Sequence, residues 1–213
     1  MVTLNENSLQ KASHWLAAQD EGLALVLEKY GYPPLWSRVP GFSTAVHIIL
    51  EQQVSLASAN ATFARLKEVL QPAVIPETFL ELGDEALRAI GFSRQKIGYT
   101  RLLAQAILNG DFNFDTLTGL DDEAVRTNLK QLKGIGHWTA DIYLSECLMR
   151  PDILPQGDIA LYEAFRVLRQ LPKRPDYAFF EAGTQHWRPW RSVGTRMLWH
   201  FYLNERKKIN QTL

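Results

Sequence analysis

Apolar side chains recur along most of this chain at the three- and four-residue spacing that places them on one face of an α-helix. Prolines and glycines interrupt the pattern at short intervals, and no segment alternates apolar and polar positions as a strand does. The helices predicted from the pattern cover residues 8–30, 55–70, 77–89, 94–108, 121–129, 137–148, 158–170 and 195–207, and one more runs from a cap at Ser43 or Thr44 through Leu50. We therefore predict an all-α fold.

The composition is typical of a folded protein without a membrane span. The chain has 213 residues, of which 46% are hydrophobic, and no apolar run reaches the roughly 18 residues that a spanning helix needs. Residues 1–10 are polar and lack the basic and apolar regions of a signal peptide, so we expect an intracellular protein. The single cysteine, Cys147, excludes both an internal disulfide and a four-cysteine iron–sulfur cluster held by this chain alone.

The formal net charge is zero, which argues against bulk electrostatic attraction to nucleic acid. Residues 185–213 are nevertheless basic, with Glu205 as the single acidic residue among them. The basic residues are Arg188, Arg191, Arg196, Arg206, Lys207 and Lys208. This segment is a candidate phosphate-facing surface, and a solvated helix end is the alternative for residues 206–208.

Residues 132–140, Leu-Lys-Gly-Ile-Gly-His-Trp-Thr-Ala, follow a predicted helix. Two glycines around one apolar residue are typical of a tight turn between helices, and the second helix then begins with bare N–H groups that can bind phosphate. Asp158 follows in Leu-Pro-Gln-Gly-Asp, where it can cap the next helix or supply a reactive carboxylate. The sequence thus predicts a hairpin that binds the DNA backbone, beside a single acid; a simple helix–helix turn is the alternative.

The chain resembles the helix-hairpin-helix (HhH-GPD) DNA glycosylases, and among them the 3-methyladenine DNA glycosylase II branch. The resemblance covers about residues 41–202. Besides the hairpin and Asp158, it rests on Ile-Leu-Glu-Gln-Gln-Val-Ser at 49–55, Gly-Phe-Ser at 91–93 with Lys96, and Trp-Arg-Pro-Trp-Arg-Ser at 187–192. It implies a single glycosylase domain of two helical lobes with the active-site cleft between them. One lobe is expected at about 1–40 plus 150–213, and the other at about 41–149.

The resemblance also implies the chemistry. Asp158 matches the family's catalytic aspartate, whose carboxylate stabilises the positive charge that builds on the sugar as the N-glycosidic bond breaks. Trp138 stands where strand-cleaving members carry a lysine, and an indole cannot form the Schiff base that strand cleavage requires. The implied enzyme is monofunctional: it uses water and leaves an abasic site.

The implied substrates are alkylated purines of the 3-methyladenine and 7-methylguanine type. Trp138 and Trp199 match aromatic residues of the family's base pocket, and an aromatic face attracts a positively charged base. Ile142 stands where that pocket has a tyrosine. For Trp187 and Trp190 we expect core packing.

The remaining site residues are implied by the same resemblance. The hairpin would contact DNA through Lys133, Gly134, Ile135, Gly136, His137 and Thr139. The residue that fills the gap left by the extruded base is expected among Gln52, Gln53 and Ser55, with Gln53 at the family's wedge position. A monovalent cation, sodium or potassium, is implied on the backbone carbonyls of Lys130, Leu132 and Ile135, and no other cofactor is expected. The five histidines show no zinc-ligand spacing with Cys147 or with paired carboxylates.

We therefore expect a monomer that acts in base excision repair on double-stranded DNA containing alkylated bases. It would be cytoplasmic in a bacterium or nuclear in a eukaryote, and would not associate with membranes. Two alternatives remain open at this point. One is a glycosylase for deaminated bases, and the other is a non-catalytic helix-hairpin-helix module, against which Asp158 and the pocket tryptophans argue because a pure binder needs neither.

Overall fold

The computed structural model describes residues 3–211, with side chains as far as Arg206, and this part of the chain contains helices, turns and loops but no strand. The α-helices are α1 (Glu6–Ala17), α2 (Glu21–Tyr30), α3 (Phe42–Glu51), α4 (Leu56–Val69), α5 (Pro76–Glu81), α6 (Asp84–Ala89), α7 (Arg94–Leu108), α8 (Asp122–Lys130), α9 (His137–Ile142), α10 (Ile159–Leu168), α11 (Tyr177–Gly183) and α12 (Arg191–Gln211). Short 3₁₀ helices span Phe114–Gly119 and Gln185–Trp187, and a π-helical turn spans Tyr143–Cys147. The predicted all-α fold is confirmed.

Two predicted helices are each broken in two. Residues 8–30 form α1 and α2, and the break falls where Asp20 caps α2 by accepting a 3.1 Å hydrogen bond from the amide of Leu23. Residues 77–89 form α5 and α6, with Gly83 at the start of the second helix. The apolar spacing continues across such breaks because both pieces pack on the same core, so periodicity alone did not reveal them.

Helix α12 begins at Arg191, four residues before the predicted start, and runs through Gly194. A side chain at Gly194 would place its Cβ 2.4 Å from the ring of Trp187. The glycine therefore permits close packing inside the helix and does not end it. Helix α11 was not predicted.

The chain divides into two compact units, one formed by Met1–Ser37 with Leu144–Leu213 and the other by Arg38–Tyr143. The core of the first unit contains Leu9, Leu16, Val26, Leu161, Phe165, Phe180, Trp187 and Met197. The core of the second contains Val46, Ile49, Leu66, Phe79, Leu87, Ile97 and Leu129. Trp187 is 1% exposed, in agreement with its predicted place in the core, and Trp190 packs half-buried against the same cluster.

In the first unit, the carboxylate of Asp20 joins three parts of the chain. Its Oδ2 accepts hydrogen bonds from Nε1 of Trp187 at 2.7 Å and from Nε2 of His186 at 2.9 Å, and it also pairs with Arg169. Burial by itself would raise the pKa of Asp20, but these hydrogen bonds outweigh it and hold the pKa below its usual value. The ionised carboxylate therefore stabilises this unit.

Candidate active site

Asp158 is the residue that precedes α10, and its side chain caps that helix. Its Oδ1 accepts a 3.0 Å hydrogen bond from the amide of Leu161, and the residue is 9% exposed. The preceding Gly157 has a φ of 86°, in the left-handed region, and its amide donates a 2.7 Å hydrogen bond to the hydroxyl of Tyr162. The capping role is confirmed, and it holds the carboxylate in one orientation at the start of α10.

Trp199 lies half-buried on α12 in the same unit, and its ring meets that of Trp36 edge to face, with 6.3 Å between the ring centroids. Trp36 was not identified from the sequence, because it lies in a proline-containing loop with no periodic pattern. Its φ of 46° is unusual for a residue with a side chain.

Arg196 secures the loop that carries Trp36. Its guanidinium donates to the carbonyls of Leu35 at 2.8 Å, Ser145 at 2.7 Å and Ser192 at 3.0 Å, and the side chain is fully buried. Burial lowers the pKa of Arg196 to about 10, a shift that Glu146 opposes. Three neutral carbonyls thus hold the cation in the interior of the unit.

The predicted hairpin is present in the second unit, where α8 and α9 flank residues 131–136. The two helices are joined by an ion pair in which Nε of Arg126 lies 2.7 Å from Oδ1 of Asp141, a residue that is only 3% exposed. Within the loop, the amide of Ile135 donates a 3.1 Å hydrogen bond to the carbonyl of Leu132. The loop is therefore a tight, internally bonded turn.

The two hairpin glycines have different roles. Gly134 has a φ of 93°, and a Cβ there would lie 2.2 Å from the ring of Tyr99, so this position requires glycine. Gly136 has a φ of −100°, and no atom lies within 4 Å of where its Cβ would be. It stands exposed at the start of α9, where its backbone is accessible.

The side chains of the predicted hairpin contacts divide into two sets. Lys133 and His137 are exposed, and the ammonium group of Lys130 donates a 2.7 Å hydrogen bond to Nε2 of His137. Ile135 is 7% exposed and Thr139 is 5% exposed. Both residues are therefore largely withdrawn from the surface of the hairpin.

The turn between α3 and α4 carries the predicted wedge candidates, and the structure separates them. Gln53 is exposed, with a φ of 57°. Gln52 is half-buried, and its amide nitrogen donates to the carbonyl of Gly134 at 2.9 Å. Ser55 caps α4 by accepting a 3.2 Å hydrogen bond from the amide of Ser58.

The two pocket candidates near the hairpin differ in burial. Trp138 is half-buried in the first turn of α9, and Ile142, at the end of that helix, is 3% exposed. Cys147, the single cysteine of the chain, is buried.

The prediction of a phosphate-facing basic segment is wrong for Arg191 and Arg196, which are buried, whereas Arg188 is half-exposed in a surface ion pair. Arg191 and Arg188 both bind the carboxylate of Asp152, at 2.8 and 2.7 Å, and Arg196 is buried on backbone carbonyls. The side chains of Lys207 and Lys208 lie outside the described residues. Local composition revealed the positive charge but not the partners that neutralise it.

Among the described residues, no group of three or more His, Cys, Asp or Glu side chains could hold a metal ion. The carbonyls of Lys130, Leu132 and Ile135 would offer a different donor set, made of neutral oxygen atoms. The Leu132 oxygen accepts one hydrogen bond and retains a second lone pair. Such a set fits a hard cation such as sodium or potassium.

None of the helices in the described part of the chain is long and apolar enough to cross a membrane.

The sequence and the fold of this chain are similar to those of known DNA glycosylases. The chain is 29% identical over 198 residues to DNA-3-methyladenine glycosylase 1 of Schizosaccharomyces pombe, covering 90% of this chain and 87% of that protein. It is 28% identical to the putative DNA-3-methyladenine glycosylase YfjP of Bacillus subtilis, over 83% of this chain and 64% of that longer protein. The solved S. pombe 3-methyladenine DNA glycosylase in complex with abasic DNA superposes with a TM-score of 0.82 at 28% identity, covering 89% of this chain and 95% of the other.

The family model for HhH-GPD superfamily base excision DNA repair proteins matches residues 46–189. That span includes the α3–α4 turn, the hairpin and Asp158, and it accounts for more than half of the chain. This chain belongs to the HhH-GPD superfamily of base excision DNA repair proteins.

Proposed function

We propose that this protein is a monofunctional DNA glycosylase that excises alkylated purines from double-stranded DNA by hydrolysis and leaves an abasic site. The observation that carries the proposal is a buried, oriented carboxylate at Asp158 in a chain that has tryptophan, not lysine, at position 138. The names of the relatives support the substrate class.

The chemistry suits a base that already carries positive charge. As the bond between C1′ of the sugar and the ring nitrogen of the base breaks, its electron pair moves to the base, which leaves neutral. Positive charge grows on the sugar, and the carboxylate of Asp158 stabilises it. A water molecule then adds its oxygen to C1′ and gives up a proton.

The remaining residues bind the base and the DNA. Trp199 contacts the extruded cationic base, and Trp36 supports Trp199 through its edge-to-face contact. The exposed backbone at Gly136 and the side chain of Lys133 contact phosphates. Gln53 fills the gap in the duplex. The backbone carbonyls of Lys130, Leu132 and Ile135 would hold a sodium or potassium ion, which would supply a positive charge to the hairpin; the residues named above would carry out the reaction.

Base release identifies the activity directly. Duplex DNA treated with a methylating agent, and duplexes containing uracil or hypoxanthine, would be incubated with the protein and the free bases identified by mass spectrometry. We expect 3-methyladenine and 7-methylguanine. Release of only uracil or hypoxanthine would assign the enzyme to deaminated bases, and DNA binding without any base release would identify a non-catalytic module.

The same reactions test for lyase activity and for the state of the protein on DNA. We expect strand breaks only after hot alkali, because no amine is available at position 138 to form a Schiff base. Borohydride should trap no covalent complex with the DNA. Sedimentation of the complex should give one protein molecule per lesion-containing duplex.

A further inference from the structure

Gln53 lies in a turn that is restrained from both sides. Its backbone has a φ of 57°, in the left-handed region. A residue with a side chain keeps that conformation only where its surroundings hold it. Gln53 itself is exposed, so the restraint must come from the neighbours of the turn within the second unit.

Gln52 supplies the first restraint. Its Nε2 donates hydrogen bonds to the carbonyl of Gly134 and to Oγ1 of Thr139, each at 2.9 Å. Gly134 lies in the hairpin loop and Thr139 in α9, so one side-chain amide binds both parts of the hairpin. The amide group of Gln52 therefore binds the protein itself, although the resemblance implied a DNA contact for this residue.

Lys96 on α7 supplies the second restraint. Its Nζ donates to the carbonyls of Leu50 at 2.7 Å and Gln52 at 2.9 Å. Carbonyls at the end of a helix have no partner within the helix, and a cation there satisfies them and is favoured by the helix dipole. Lys96 is half-buried, and this burial lowers the pKa of its ammonium group.

The same face of α7 also contacts the hairpin. Tyr99 lies one helical turn after Lys96, and its ring occupies the space that a side chain at Gly134 would fill. The α3–α4 turn, α7 and the hairpin are thus joined by bonds from Gln52, bonds from Lys96 and the packing of Tyr99 on a glycine. These contacts lie within one compact unit.

We propose that Gln52 and Lys96 are positioning residues that join the α3–α4 turn to the hairpin, so that phosphate binding by the hairpin places Gln53 for insertion into the duplex. This inference rests on the proposed function. Extruding a base costs unpairing and unstacking free energy, and a wedge can offset that cost only if it arrives in the correct place. If the α3–α4 turn were loosened, ordering it during extrusion would add to the free-energy cost of the step.

Three variants test whether the hydrogen bonds from Gln52 and Lys96 position Gln53. Gln52→Leu and Lys96→Met remove the hydrogen-bond donors and keep most of the side-chain volume, whereas Lys96→Arg keeps a donor. The substrates are 7-methylguanine paired with cytosine and the same lesion mispaired with thymine, where less pairing must be broken. Single-turnover release is measured for each.

For the matched pair, we expect Gln52→Leu and Lys96→Met to slow release about tenfold, as loss of one or two hydrogen bonds predicts. The loss should be clearly smaller for the mispaired lesion, and Lys96→Arg should recover most of the rate. Because Gln52 acts through Gln53, the double variant Gln52→Leu/Gln53→Ala should be no slower than Gln53→Ala alone.

A matched control is Lys67→Met, which removes an exposed lysine of the same unit and should leave both rates unchanged. Equal losses on the two lesions, or additive losses in the double variant, would overturn the proposal in favour of a purely structural role. Thermal unfolding is recorded for every variant, and if Gln52→Leu does not fold, the comparison of Lys96→Met with Lys96→Arg carries the test. Absence of 7-methylguanine release by the wild-type protein would instead reject the proposed function.

Discussion

The ring of Trp36 meets the ring of Trp199 edge to face, with 6.3 Å between the centroids and 78° between the planes. The two residues are far apart in sequence, and the buried guanidinium of Arg196 holds the carbonyl next to Trp36. The contact fixes the orientation of the Trp199 ring, which the proposed function places against the extruded base.

Replacing Trp199 should weaken the excision of cationic bases specifically. We expect Trp199→Ala to lower kcat/KM for 7-methylguanine release about tenfold or more, because stacking and cation–π attraction are lost. Trp36→Ala should have a smaller effect in the same direction, and Trp36→Phe should retain part of the contact. Affinity for undamaged duplex, measured by fluorescence anisotropy, should not change.

The control is Trp15→Ala on α1, which removes a partly exposed tryptophan outside the site. Equal loss of excision and duplex binding in Trp199→Ala would refute the pocket role of Trp199.

Asp158→Asn separates capping from catalysis. Asparagine caps a helix as well as aspartate does, so the thermal unfolding midpoint should stay close to that of the wild type. Removal of the charge should slow base release about a hundred- to a thousandfold, while binding to abasic-site DNA persists.

The matched control for this variant is Asp176→Asn. Asp176 caps α11 with a 2.9 Å hydrogen bond from the amide of Phe179, and it is exposed. We expect this control to excise normally. Unchanged excision by Asp158→Asn itself would show that the carboxylate is not required for the reaction.

The two hairpin glycines should respond differently to alanine. Gly134→Ala forces a Cβ against Tyr99 and a side chain into a left-handed conformation, and the backbone strain alone should lower the free energy of unfolding by about 1–3 kcal/mol. Gly136→Ala should change it by less than about 0.5 kcal/mol, since the position is open and its φ is ordinary. Urea denaturation measures both, and equal effects would contradict the geometry of the hairpin.

The stability of the first unit should depend on pH through Asp20. Because the pKa of Asp20 is lower in the folded protein, its contribution is fully present above the unfolded pKa of about 4 and is lost as the pH falls through the folded value. We expect Asp20→Asn to lower the free energy of unfolding at pH 7 by about 1–3 kcal/mol and to reduce the acid dependence below pH 4.

Urea curves followed by tryptophan fluorescence between pH 3 and pH 7 test this expectation. Asp84→Asn is the control, because the carboxylate of Asp84 is half-exposed and its pair with Arg101 is a surface ion pair of small value. A wild-type acid dependence in Asp20→Asn would mean that other carboxylates are responsible.

Much of the fold was predictable because the signals are local. Apolar spacing marked the helices, and short polar residues marked many of their caps, including Asp158. Spacing could not reveal the break at Asp20, since α1 and α2 present their apolar faces to the same core. Spacing also placed the start of α12 after Gly194, whereas the helix begins at Arg191 and Gly194 makes room for the ring of Trp187.

The sequence by itself determined the helical class, the tight turn with its two glycines between α8 and α9, and the aspartate at the start of α10. These depend on residue type and on spacing along a few turns of chain. The tertiary structure alone decided that Gln52 binds Gly134, that Trp36 meets Trp199 and that three arginines of the basic segment face protein partners. Each of these contacts joins residues far apart along the chain. A polar side chain can bind water, phosphate or a carbonyl equally well, and only tertiary packing decides which of these partners lies within reach.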